Sequence, residues 1–290
     1  MAAPRSTPSG LPATRLIAPR LALASCVRAY VARSTLDCAP LAPAQRLNRF
    51  PATPLCSICW MIQGEAEMAA PVVGPELKIP QVFFGGPQSR PSASYNPGPA
   101  HGFMLMLYPS ALHKLSGVDL SAWVDRFAPL DEVLGPAWLE LSRQVLEAAD
   151  DDARVALIEA FLEPRWQALR AGDELPGVVG VVGDWVRRLA VQAAAGWGSG
   201  ARNVERRIKA WAGQPMRTLR RMNRAEQLFL AARHEMGGGT TTWSDIAARG
   251  GYADQSHLCR ETREITGLSP TELAHAYQED ESYWVYRIWS

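Results

Sequence analysis

No stretch of this 290-residue sequence approaches the roughly eighteen consecutive apolar residues of a membrane-spanning helix, although 47% of its residues are hydrophobic. A membrane is therefore not among the expected partners. Cysteine is scarce: Cys26, Cys38, Cys56, Cys59 and Cys259 are odd in number and thinly spread. That does not read as a disulfide framework and fits a reducing, cytoplasmic setting. The stretch "LALASC" ending at Cys26 has the shape of a lipoprotein cleavage site. Arg15 and Arg20 interrupt the run before it and Pro12 and Pro19 break it further, so no apolar targeting segment is expected. Residues 1–20 are read as a disordered leader. There is also no glycine-rich phosphate loop and no nucleophile motif, so the chain is expected to be no enzyme and to need no cofactor.

Net charge is nearly absent as well, at +1, but that sum hides a local excess. Between Arg202 and Arg224 stand eight basic residues, Arg202, Arg206, Arg207, Lys209, Arg217, Arg220, Arg221 and Arg224, against the single acid Glu205. Such density on potential helices points to a polyanion, with a plain solvated face as the alternative.

Two halves differ in period. Across residues 21–110, short apolar runs alternate with proline- and glycine-rich connections, which predicts strands centred near Val27, Ile58, Val82 and Leu105. From about Ser110 the spacing becomes three and four, as in Trp138, Leu141 and Val145, then Val155, Ile158 and Leu162. The turn-forming "RAGDELPG" at 170–177 is the expected linker. Beyond it, helices are expected over 178–195, 201–212, 215–236, 243–249, 254–266 and 270–278, each ended by glycine or opened by proline.

The stretch "TWSDIAARGGYADQSHLCRETREITG" reads as two helices and a turn. Thr242 caps the first, Gly250-Gly251 makes the turn, and Asp254 caps the second, whose Leu258, Thr262 and Ile265 share an inward stripe. The outward stripe carries Gln255, Ser256, Cys259, Arg260 and Arg263, with His257 at its margin. This is helix-turn-helix spacing. Arginine can bind guanine bidentately and glutamine adenine, so the second helix suits a DNA major groove.

"DIAARGGYADQSHLCRETREITGLSPTEL" resembles the second helix-turn-helix of AraC/XylS-type transcription regulators. The anchors are Asp245-Ile246-Ala247, Gly251-Tyr252, Gln255, Leu258, Arg260, Gly267 and Ser269-Pro270. The departure is Thr262, where the family usually has phenylalanine, so a thinner core is expected beneath this helix. The resemblance implies a first copy upstream, and "GARNVERRIKAWAGQPMRTL" parallels it: Val204 matches Leu258, Arg206 matches Arg260, Ile208 matches Thr262 and Gly213 matches Gly267. Its outward stripe is Arg202, Glu205, Arg206 and Lys209, with Val204, Ile208 and Trp211 inward. The helix joining the copies would place two recognition helices in successive grooves, its Arg217, Arg220, Arg221 and Arg224 facing phosphates or solvent.

The fold class expected is α+β: a β-rich, small barrel-like domain followed by helices (21–169), the linker, then an all-α domain with two helix-turn-helix motifs (178–290). The resemblance implies double-stranded DNA as partner and an N-terminal domain that senses a small molecule or mediates homodimer formation. "HGFMLMLYPSALHKLSGVDLSAWVDRFAPL" with the helical run after it is similar to a sensor-type domain of such regulators. Two alternatives stay open. One is a metal- or thiol-dependent sensor using the Cys56-Ser-Ile-Cys59 pair, with His101 and His113 available and Cys26 and Cys38 to complete a zinc site; strand alternation argues against it, because it turns Cys56 and Cys59 to opposite faces, and no metal is expected. His101 reads as a turn-adjacent surface residue. The other alternative is a helical module that binds a protein rather than DNA.

Overall fold

The four apolar runs form strands where their alternation places them, and shorter strands pair on either side. The structure is a computed structural model that describes residues 10–69, 78–170, 182–195, 200–236 and 242–288. Its strands are β1 (Ala13–Ile17), β2 (Val27–Ser34), β3 (Leu47–Phe50), β4 (Cys56–Gln63), β5 (Glu67–Met68), β6 (Val82–Gly85), β7 (Ser92–Tyr95), β8 (His101–Leu107) and β9 (Phe127–Pro129). They make an antiparallel six-stranded sheet of order β1-β2-β8-β4-β6-β9 and a three-stranded sheet β3-β7-β5.

In the larger sheet Leu105 pairs with both Tyr30 and Ile58. Tyr30, Ala32, Phe103, Leu105, Ile58 and Trp60 turn to one face, where they are buried. That face is covered by α1 (Pro109–Ser116), α2 (Pro136–Glu147) and α3 (Asp151–Leu169), through Leu112, Trp138, Leu141, Val145, Ile158 and Leu162. Asp150 caps α3 by accepting from Ala153 N at 2.8 Å, and buried Arg154 ties the α2–α3 turn through Val145 O and Ala148 O. Within the stretch that reads as helical from about Ser110, the segment "SAWVDRF" is an exception: the chain makes a single 3₁₀ turn at Leu120–Trp123 and then β9.

Beyond the expected linker, of which residues 171–177 lie outside the described residues, come α4 (Val182–Ala194), α5 (Ala201–Ala212), α6 (Met216–Met236), α7 (Trp243–Arg249), α8 (Gln255–Thr266), α9 (Pro270–Glu279) and α10 (Trp284–Ile288). Trp185, Leu189, Ile208 and Leu219 belong to the same buried cluster as the sheet's first face. The core therefore continues from the β-rich half into the first helix pair. Among the described residues no helix is long and apolar enough to cross a membrane.

The second face of the larger sheet, presenting Val31 and Met104, is covered by the C-terminal helices. Tyr283, Trp284, Val285 and Tyr286 are buried against it and against Phe50 of β3. The Trp284 indole N–H donates to Asn48 Oδ1 at 2.9 Å, and the Arg33 guanidinium lies 4.6 Å from its ring centre. α10 is thus wedged between the two sheets.

One expectation needs correction. Residues 13–17, read as part of a disordered leader, form β1 and pair with β2, Arg15 opposite Ala32. Pro12 and Pro19 bracket a short strand rather than break a helix, since an edge strand leaves one row of N–H groups unpaired anyway. The arginines that interrupt the apolar run hold it down: Arg15 meets Asp152 at 2.8 Å and Arg20 meets Glu159 at 2.7 Å, both on α3. The remainder, residues 1–9, lies outside the described residues.

Candidate nucleic-acid interface

Each helix of the C-terminal pair is positioned by local chemistry. The Thr242 side chain accepts from Asp245 N at 3.2 Å, and the Asp245 carboxylate accepts from Thr242 N at 3.1 Å, a reciprocal cap on α7. That hydrogen bonding holds Asp245 below the usual carboxylate range. The turn needs Gly251, whose φ is 71°, whereas a Cβ on Gly250 would lie 2.7 Å from a Leu228 methyl, which would have to shift. Asp254 then caps α8, accepting from His257 N at 2.6 Å. Ile246, Ala247, Tyr252 and Leu258 form the small core between α7 and α8.

The outward stripe of α8 is as expected for Gln255, Ser256, Arg260 and Arg263, all exposed. Arg260 makes no ion pair among the described residues, whereas Arg263 lies 3.7 Å from Glu272. His257 is half-buried, its ring edge-on to Tyr252 at 5.2 Å. Cys259 is also half-buried.

On α5, Arg202, Arg206 and Lys209 are exposed at spacings of four and three, Glu205 is half-buried, and Ile208 is buried. The inner side of this helix rests on the β-rich half. Trp211 lies 6.3 Å from the His113 ring, and Gly213 ends the helix at φ of 74° where a Cβ would come 2.9 Å from Leu120 O. The turn between α4 and α5, residues 196–199, lies outside the described residues; Arg207 bridges the helices by donating to Ala193 O at 3.1 Å.

The sequence reading missed Glu261. It sits on the inward stripe of α8, three residues after Leu258 and four before Ile265, with 5% of its side chain exposed. The Arg224 guanidinium grips it with two hydrogen bonds of 2.6 and 3.2 Å, and Tyr252 OH donates to it at 2.7 Å. Arg224 also lies 4.5 Å from the Tyr252 ring centre. Partial burial opposes the Arg224 charge, but the bonds to Glu261 outweigh it and raise its pKa. Burial, with Glu261 adding to it, pushes the Tyr252 hydroxyl up as well. Arg221 pairs with Glu264 of α8. Of Arg217, Arg220, Arg221 and Arg224 on α6, then, Arg221 and Arg224 bind α6 to α8, and Arg217 and Arg220 are exposed. An acid on an apolar stripe was the available signal.

Cys56 and Cys59 are both buried. Cys56 pairs with Leu107 on the helix-covered face and Cys59 with Met104 on the other. Desolvation pushes the Cys59 thiol up to about 12, and the Cys56 and Cys26 thiols up too. Thiols held protonated are poor nucleophiles and poor metal ligands. His101 is not a turn residue on the surface: it opens β8, its Nε2 3.2 Å from Asp151. A disulfide-exchange reagent added to the folded protein near pH 8 is expected to modify Cys259 quickly and the four buried thiols only on unfolding. Rapid reaction of a second thiol, persisting in Cys259→Ser, would revive the thiol-sensor alternative.

The arrangement is an N-terminal antiparallel β-sheet region followed by helices, with α7, a glycine turn and α8 in helix-turn-helix order. No family model and no curated protein matches the sequence. Among solved structures, ToxT from Vibrio cholerae is similar at a TM-score of 0.38 and 11% identity, over 85% of this chain and 98% of that one. ToxT from strain O395 bound to (E)-4-(8-methylnaphthalen-1-yl)but-3-enoic acid is similar at 0.36 and 10%, over 79% and 97%. ToxT bound to an unsaturated fatty acid follows at 0.33 and 10%, over 78% and 92%. Likeness of this degree carries no functional argument, so the function is read from the residues.

Proposed function

We propose that the chain is a sequence-specific, double-stranded-DNA-binding transcription regulator of the AraC/XylS type, in which α5 and α8 read successive major grooves. One observation carries the reading: α8 turns Gln255, Ser256 and Arg260 to solvent while Glu261, on its opposite side, is gripped by Arg224 of α6. A rigidly seated helix with unsatisfied polar groups outward is what direct readout demands. At about 1.5 Å per residue, the 21 residues of α6 span roughly 32 Å, close to the roughly 34 Å of one duplex turn. Arg202, Arg206 and Lys209 of α5 supply the first contact set, with Glu205 at its edge; Gln255, Ser256, His257, Arg260 and Arg263 supply the second. Arg217 and Arg220 serve phosphates. A small-molecule effector acting through the N-terminal domain would shift the balance between domain arrangements, and with it operator occupancy. A homodimer and a cytoplasmic setting complete the proposal.

The test is selection of duplexes from a random pool by the purified protein, followed by titration of the winner and a scrambled duplex. Arg260→Ala is expected to cost about 1–3 kcal/mol on the selected site and little on the scrambled one. Arg220→Ala should weaken both and flatten the salt dependence by about one unit of slope. Uniform weakening by both substitutions would remove Arg260 from base readout. Failure to retain any duplex would favour the protein-binding module.

A further inference from the structure

Protein interiors are packed as densely as organic crystals, so a sizeable apolar gap between two elements is a specific feature of the sequence. Such a gap, of about 210 Å³, lies behind the recognition helix α8. One wall is the β-rich half, with Phe50, Leu55 and Met106; the other is α6 to α8, with Phe229, Ile246 and Leu258. Its cause is small side chains where the two halves meet: Ala52 on the strand side, Ala225 on α6 and Thr262 on α8. Thr262 stands one helical turn after Leu258, and its hydroxyl donates to Leu258 O at 2.9 Å, so that polar group is already bonded within the helix. A cavity of about 150 Å³ lined by aliphatic and aromatic groups takes benzene, so this one has room for a fused two-ring molecule.

The charges at its wall limit the class of ligand further. Among the described residues the charged ones lining it are Arg28 and Glu226, and they face each other at 3.6 Å across the two halves. Their charges cancel. A carboxylate or an ammonium entering the gap would exchange water for hydrocarbon and find the nearest counter-charge already matched, which is costly. A neutral molecule bears no such penalty.

We propose that this gap is a binding site for a neutral, apolar, one- or two-ring ligand, wedged between the sheet and the inner side of α8. As a binding site it stands apart from the DNA-binding reading; as an effector site it rests on that reading. The ligand touches Leu258, Thr262 and Ile265, and residue 265 is where α8 joins the β-rich half, Ala52 N donating to Ile265 O at 2.7 Å. Occupancy and the bearing of α8 are thereby linked.

The full chain is titrated calorimetrically with toluene and indole, and with benzoate and indole-3-carboxylate as charged counterparts. The neutral pair is expected to bind and to raise the midpoint of thermal unfolding, the acids to bind at least about tenfold more weakly. Thr262→Phe fills the gap and should abolish binding with no fall in the unfolding midpoint. Thr262→Val keeps shape and volume and should leave binding intact, so a loss there overturns the site. The site is also overturned if the neutral probes fail to bind, if they bind Thr262→Phe as they bind the parent, or if the acids bind more tightly. A separate measurement of duplex affinity with and without indole bears on the effector role alone: unchanged affinity removes that role and leaves the site.

Discussion

Trp284→Ala is expected to lower the free energy of unfolding by about 3–5 kcal/mol, the range for truncating a buried large aromatic. Trp284 is 3% exposed and is held from every side. Its indole N–H is satisfied by Asn48 Oδ1, Phe50 meets it edge-on at 6.2 Å, and Arg33 covers one face. Truncation would open a cavity between the two sheets and orphan the Asn48 oxygen, whose amide nitrogen stays tied to Asn96 Oδ1 at 2.7 Å. Arg33 keeps Glu281 at 2.9 Å and Thr14 at 3.0 Å, so its charge is not stranded and the loss falls on packing. Trp284→Phe should recover most of the packing but leave the Asn48 bond unmade, a deficit of about 1 kcal/mol. Urea denaturation followed by far-ultraviolet circular dichroism measures both. A loss under about 1 kcal/mol for the alanine variant would mean that α10 does not lie between the sheets in solution.

The second large effect is expected at the Arg224–Glu261 pair. Arg224→Met leaves the Glu261 carboxylate, with 5% of its side chain exposed, facing the Tyr252 hydroxyl and the more distant His257 ring as its remaining partners among the described residues. Removing one partner of a buried pair costs about 3–5 kcal/mol. Arg224 keeps 35% of its side chain in contact with solvent, so about 3 kcal/mol is expected here. Replacing both partners removes the stranded charge, and Arg224→Met/Glu261→Leu should recover most of the stability, since apolar pairs commonly replace buried ion pairs without loss. The single and double variants, measured by denaturation, form a cycle whose coupling term should exceed about 1 kcal/mol. Near-additive losses would show that the pair does not hold α8 to α6. The double variant has a further use: it keeps the fold while releasing the polar lock, so its duplex affinity reports how far α8 depends on that lock for orientation.

Much of this was legible in the residues, for local reasons. The cap residues Thr242 and Asp254, the helix-opening Pro270 and the stops Gly213, Gly250 and Gly267 set helix ends within a residue or two, because such signals act through their immediate neighbours. The strands near Val27, Ile58, Val82 and Leu105 showed in their apolar runs. What stayed hidden depends on distant partners. "SASY" of β7 and "LNRF" of β3 have no apolar face of their own and are strands because they pair with each other. Arg15 and Arg20 read as interruptions until Asp152 and Glu159 stood opposite them. Glu261 read as a spare acid until Arg224 met it from another helix. Thr262, noted as a departure from the resembled pattern, turned out to border the gap behind α8.

The wedge of α10 also governs the order of events during synthesis. Asn48 leaves the ribosome 236 residues before Trp284, an interval of about 10–50 s at ~5–20 residues per second. Until then Val31, Phe50 and, once it is made, Met104 have only solvent or a chaperone to cover them, so the nascent sheet waits with one greasy side open. The same logic warns against dissecting the molecule: a fragment ending near residue 170 would carry that uncovered side permanently and should clump rather than stay dispersed.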